Sequence, residues 1–256
     1  MSLPDQHEGG RPIEEMDLTL LESSDLQQLA QTIQGCTCVK SVDVSCPNNQ
    51  RGSQLRWDTD AVRHFFEILG GLPSLKTIHF KFLGGGDHDN EIPLSVFTAF
   101  LSSRQSPYCP NLESFRLVLV GPITCRAQDV NDFSQALSQQ RKLRDFRFSC
   151  CYFSHEVLNS APNPYIPTSN NIMDSMLYAL STLPSLETVN LKAASKGHLG
   201  RIQASSLHTL LCQVATTSTA TTTSIKTVCL DNFALDNSHV DCISSCLLYT
   251  SDAADE

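Results

Sequence analysis

The sequence predicts an α/β solenoid, with short parallel strands on one concave sheet and helices on the convex side. Three observations predict it. LPSLKTIHF at 72–80 returns as LPSLETVNL at 183–191. The same apolar spacing, at window positions 4, 7 and 9, occurs in seven windows starting at residues 10, 36, 72, 109, 140, 183 and 222. Helically spaced apolar residues follow most of these windows. A strand followed by a helix cannot bury its apolar side alone, so copies at a quasi-regular period stack into an array.

The elements follow in order. The apolar triplets are Ile13/Met16/Leu18, Val39/Val42/Val44, Leu75/Ile78/Phe80, Leu112/Phe115/Leu117, Leu143/Phe146/Phe148, Leu186/Val189/Leu191 and Ile225/Val228/Leu230. Positions 7 and 9 alternate with polar residues, as in a half-buried strand. The helical stripes are Leu26/Leu29/Ile33; Val62/Phe65/Phe66/Leu69 after Asp58 or Thr59; Val96/Phe97/Phe100/Leu101 after Pro93; and Val130/Phe133/Leu137 after Asp129. Ile172/Met176/Leu177/Leu180 follow Ser169 and Asn170, and Leu207/Leu210/Leu211/Val214 follow Ser205 or Ser206. A last helix begins near Ser238, Val240 and Ile243. These preceding residues are the expected caps. The stripes are core positions, not cofactor contacts.

The LxxLxL core resembles the leucine-rich repeat, specifically the long helical subtype typified by ribonuclease inhibitor. The resemblance covers residues 10–245 and implies a horseshoe that binds proteins on its concave face. The family continues with Asn or Cys three positions after the core. Here that place holds Leu21, Pro47, Leu83, Val120, Cys151, Ala194 and Phe233, so only Cys151 fits. Other groups must then satisfy the backbone in the turns. Most of the repeats exceed the usual length for this family. The expected insertions are the loops 83–90, 160–170 and 216–224. Residues 1–9 read as a disordered segment. Residues 246–256, CLLYTSDAADE, resemble a translated sequencing adapter. On that reading the array stops short of its carboxy-terminal cap.

Composition narrows the function classes. The net charge of −9 argues against a general nucleic-acid binder. No apolar run approaches 18 residues, so no membrane association is expected. The first 30 residues carry acids and no apolar signal core. Eleven irregularly spaced cysteines then read as reduced thiols of a cytoplasmic or nuclear protein. Cys36, Cys38 and Cys46 lack the paired spacing of a zinc site. Neighbouring Cys150 and Cys151 read as thiols, not a disulfide. GGGDHD at 84–89 lacks the Lys and Ser/Thr of a phosphate loop, and adjacent acids and His on a glycine loop do not converge on a metal. No nucleophile–base signature is present, and the eight histidines are scattered. The chain is therefore expected to be a non-enzymatic monomer with no cofactor or metal.

The candidate site is the concave face. Window positions 6, 8 and 10 point there, and they include Asp17, Asp43, His79, Lys81, Arg116, Arg147, Asn190, Lys192 and Asp231. The first two units are acidic, while Lys81, Arg116, Arg147 and Lys192 are expected to line one stripe that receives an acidic surface. The expected function is a scaffold for an unidentified protein partner. The resemblance also admits a regulator of a small GTPase or the substrate-recognition arm of a ubiquitin ligase. The latter would need an F-box-like segment outside this sequence.

Overall fold

The computed structural model describes residues 14–20, 23–46, 60–83, 92–104, 112–124, 127–154, 169–193, 202–216 and 225–252. The strands are β1 (Glu15–Thr19), β2 (Ser41–Cys46), β3 (Thr77–Leu83), β4 (Ile92–Pro93), β5 (Ser114–Thr124), β6 (Asp145–Ser154), β7 (Thr188–Ala193) and β8 (Thr227–Asp231). The helices are α1 (Ser23–Gln34), α2 (Asp60–Gly70), α3 (Leu94–Ser103), α4 (Ala127–Ser138), α5 (Ser169–Ser181), α6 (Ala204–Thr216) and α7 (Asn237–Asp252). One parallel sheet runs β1-β2-β3-β5-β6-β7-β8, and the short β4 pairs with the far end of β5. Each helix packs on the next in chain order. This is an α/β solenoid, the fold class expected from the sequence.

The register matches the windows letter for letter. Met16, Val42, Ile78, Phe115, Phe146, Val189 and Val228 are Cα partners in succession. Strand side chains alternate faces, so this row and the one two residues on enter a single core. At its centre Phe80 stacks on Phe66 at 5.3 Å and meets Phe97, Phe100 and Phe115 edge-on at 5.5, 5.3 and 5.9 Å. Burying each such ring contributes roughly 1.5–3 kcal/mol. α2 approaches α3 so closely that a Cβ on Gly70 would lie 2.3 Å from Phe100 O. Only glycine fits there without moving backbone.

Polar side chains stitch several units to the one before. Buried Arg104, just past α3, donates to Leu75 O at 2.7 Å and Gly70 O at 3.1 Å. Gln140, just past α4, donates to Leu101 O and Ala136 O, both at 3.1 Å. These donors serve backbone carbonyls at helix ends, Gly70, Leu101 and Ala136, and in the turn before β3, Leu75. Asn232 lies in the left-handed region at φ 63 and donates Nδ2 to Ala193 O at 3.2 Å. Asn tolerates that backbone better than most residues.

Several expectations shift. α4 begins at Ala127, α5 at Ser169 and α6 at Ala204, so Asp129, Ser169, Asn170, Ser205 and Ser206 lie inside first turns. For α6 the backbone of Gln203 takes the capping place, its carbonyl accepting from Ser206 and Leu207 N–H at 3.1 Å. Leu83 belongs to β3, residues 169–170 to α5 and Thr216 to α6, so the three expected loops are shorter. Their remaining residues, including 84–89, lie outside the described residues. So do residues 1–9, Asp58 and Thr59. α7 runs through Asp252, across the expected boundary at 245/246. Val240, expected in its apolar stripe, is 56% exposed.

Candidate functional site

The sheet face away from the helices carries three rows of side chains, one per window position. The middle row reads Asp17, Asp43, His79, Arg116, Arg147, Asn190 and Cys229, each the Cα partner of the next. Beside it run a row with Glu15 and Asp145 and a row with Lys81, Val118, Lys192 and Asp231. The structure thus brings all nine expected residues to one face. Arg116 and Arg147 stand in the middle row, but Lys81 and Lys192 stand in the next. The cations form two rows instead of the expected single stripe, because Lys81 and Lys192 sit at window position 10 and the arginines at position 8.

The arginines share one acid. Arg116 Nη2 lies 3.0 Å from Asp145 Oδ2, and Arg147 Nε lies 3.0 Å from Asp145 Oδ1. Ser114 Oγ donates to the same Oδ2 at 3.1 Å. Asp145 is only 18% exposed, against 40% for Arg116 and 45% for Arg147. One carboxylate thus fixes two guanidinium groups whose outer N–H donors remain presented. Charge-assisted bonds of this kind hold geometry well. The trio keeps one net positive charge.

Elsewhere the face is partly self-neutralised. His79 Nδ1 sits 3.1 Å from Asp43 Oδ1. Lys192 Nζ sits 2.7 Å from Asp231 Oδ2. That hydrogen bond and the charge beside it raise the Lys192 ammonium above its ordinary range. Asp17, Glu15 and Lys81 form no ion pair among the described residues. The face therefore runs from an acidic edge on β1 and β2 to a basic centre, then to a neutral pair on β7 and β8.

A second charged line was missed from the sequence. Window position 5 is charged in all seven windows: Glu14, Lys40, Lys76, Glu113, Arg144, Glu187 and Lys226. Its signal was there to read, since no other position is charged in every copy. Each carbonyl except the last accepts two N–H bonds from the next unit, as Lys40 O does from Lys76 and Thr77 at 2.8 and 3.0 Å. The side chains pair across units: Glu14 with Lys40 at 2.6 Å, Lys76 with Glu113 at 2.9 Å, and Glu187 with Lys226 at 2.9 Å. The Lys226 hydrogen bond and charge lower the Glu187 carboxyl below its usual range. Exposed pairs like these contribute little stability each.

The helix side has a groove of about 850 Å³ between α4 and α5, lined by Ser134, Arg141, Asp174 and Tyr178 among others. Cys36 is half-buried, Cys38 exposed and Cys46 buried, and burial raises the Cys46 thiol. The described residues contain no group of three His, Cys, Asp or Glu side chains placed to hold a metal ion. The side chains of Cys150 and Cys151 lie outside the description. No described helix is long and apolar enough to cross a membrane.

Among the described residues, a one-directional sheet, one helix layer and a polar sheet face that no helix covers define a leucine-rich-repeat-like α/β solenoid. No protein-family model matches the chain, and no curated protein matches it. Among solved structures it is similar to "Leiomodin-1 Actin-Binding Site 2 (ABS2)", with a TM-score of 0.40 and 14% identity. That match covers 74% of this chain and 85% of the other. A likeness this loose carries no argument about function.

Proposed function

We propose that the chain is a non-enzymatic scaffold that recognises a protein partner through the open face of its sheet, as a monomer and without a cofactor. One observation supports this most: seven strands, in register across the window positions, present three mostly polar rows that no described helix covers. Stacked units hold these side chains on a rigid frame, so binding orders little new structure. The long repeats and one-sided helices favour the ribonuclease-inhibitor-like subtype. The acidic edge and basic centre favour a partner with the opposite order of charge, and such complementarity acts mainly on association rate and specificity.

The test is partner capture with paired variants. Arg116→Glu with Arg147→Glu is compared with Arg63→Glu on the exposed side of α2. The open-face pair should lose the partner, and the helix control should keep it. Equal capture by both, with unchanged salt dependence, overturns the reading. A GTPase regulator that supplies an arginine would need Arg116 or Arg147 to leave Asp145. Stimulated GTP turnover, lost in those same variants, would favour that reading instead.

A further inference from the structure

The open face carries more cation than it neutralises, and the surplus sits in one place. Arg116 and Arg147 are Cα partners on adjacent strands, about 4.8 Å apart. Asp145 accepts from Arg116 Nε at 3.1 Å, Arg147 Nε at 3.0 Å and Ser114 Oγ at 3.1 Å, so both its oxygens are engaged. Arg116 Nη1 and both Nη groups of Arg147 meet no acceptor among the described residues. The row on the side away from Asp145 holds Lys81, Val118 and Ser149 on these three strands, and no acid. Apart from His79, the charged residues of β3, β5 and β6 are Lys81, Arg116, Asp145 and Arg147. Three cations and one acid leave two net positive charges.

We propose that this patch receives the phosphoryl group of a phosphorylated side chain on the protein partner, an inference that rests on the open-face reading above. One guanidinium fork already satisfies a carboxylate. Two forks fixed side by side suit an anion with more acceptors, and a phosphoryl group brings three oxygens and about two negative charges. Exposure decides between a free anion and a partner. The arginines are 40% and 45% exposed, and ion pairs open to water are weak. The phosphoryl group therefore needs a protein surface around it that excludes water. The face also says how that surface continues. Asp17 on β1 lies three strands from Arg116 in the same row. That is about 14 Å, or about four residues of extended chain. A basic residue that far from the phosphorylated one meets the acidic edge.

The experiment titrates the chain with a nine-residue peptide: arginine at both ends, phosphoserine at the centre, alanine or glycine between. The side-chain Nε–H resonances of Arg116 and Arg147 report the site in the parent chain, without a variant. Both should shift and saturate. Glutamate in place of phosphoserine should weaken binding by about fivefold or more. Inorganic phosphate should bind about tenfold more weakly than the peptide, or worse. Arg116→Lys with Arg147→Lys keeps the charge and removes the forks. It should weaken the peptide by about tenfold or more, with a thermal scan to check folding. A glutamate peptide that binds as tightly overturns the proposal, as do arginine resonances that stay still. Inorganic phosphate bound as tightly as the peptide also overturns it, for the ligand would then be a free anion. Failure here is separable from failure of the open-face reading. Capture that needs Arg116 and Arg147 but survives phosphatase treatment of the partner overturns the phosphoryl assignment alone. Capture indifferent to both arginines overturns the open-face reading, and this proposal with it.

Discussion

The sixth and seventh units are built on one plan and differ in what lies beyond them. Leu207 and Val240 sit at the same turn of equivalent helices, one in the core and one in water. The difference teaches that burial in a stacked array belongs to the neighbour as much as to the residue. Nearest-neighbour interfaces then supply much of each unit's stability, and the inner units should respond to damage more strongly than the last.

The largest contrast lies in the core row. Phe80→Ala removes a ring packed by Phe66, Phe97, Phe100 and Phe115. It should cost about 4 kcal/mol by denaturant unfolding. Val228→Ala, in the same row on half-buried β8, should cost about 1 kcal/mol or less. Equal losses would break the comparison.

The polar stitches come next. Arg104→Ala strips donors from the carbonyls of Gly70 and Leu75 in a buried turn, and should cost about 3 kcal/mol. His239→Ala removes one bond to Ile202 O at the last interface and should cost about 1 kcal/mol. The same denaturant series reads both.

The smallest effect is the pH dependence that the last unit contributes. Asp236 accepts from Ser238 and from His239 at the start of α7, and these bonds lower its carboxyl from 3.8 to about 2. A depressed carboxyl stabilises the fold above its ordinary pKa, and that contribution fades as pH falls from about 4 through 2. Asp236 is 72% exposed, so the loss is small. Thermal unfolding at pH 5, 3.5 and 2.5 should show it in the parent chain and show less of it in Asp236→Asn. An identical pH profile in the two would remove the cap from the account.

Much of this was legible in the letters. The LxxLxL spacing located seven strands and their register, because a period-two pattern with one buried face admits no slip. It also placed Asp17, Asp43, His79, Arg116 and the rest on one face. It did not show that Arg116 and Arg147 clasp Asp145, since such pairing depends on side-chain reach across neighbouring strands. The stitches of Arg104 and Gln140 were illegible for a plainer reason: their partners are backbone carbonyls, which have no letter. The helix starts were misread where backbone, as at Gln203, does what a Ser or Asp side chain was expected to do. Val240 read as core because periodicity reports what a face is suited to cover, and it cannot report whether a neighbour is there.

The most direct measurement compares the equivalent pair. Leu207→Asp and Val240→Asp are each made in the 256-residue chain, and their thermal midpoints are set against the parent. Leu207→Asp should lower the midpoint by about 10 °C or more, because it buries a charge in the sixth unit. Val240→Asp should change it by about 1 °C or less, because that side chain already meets water. Comparable losses at both positions would contradict the account, for they would mean that the last unit is covered as fully as the rest.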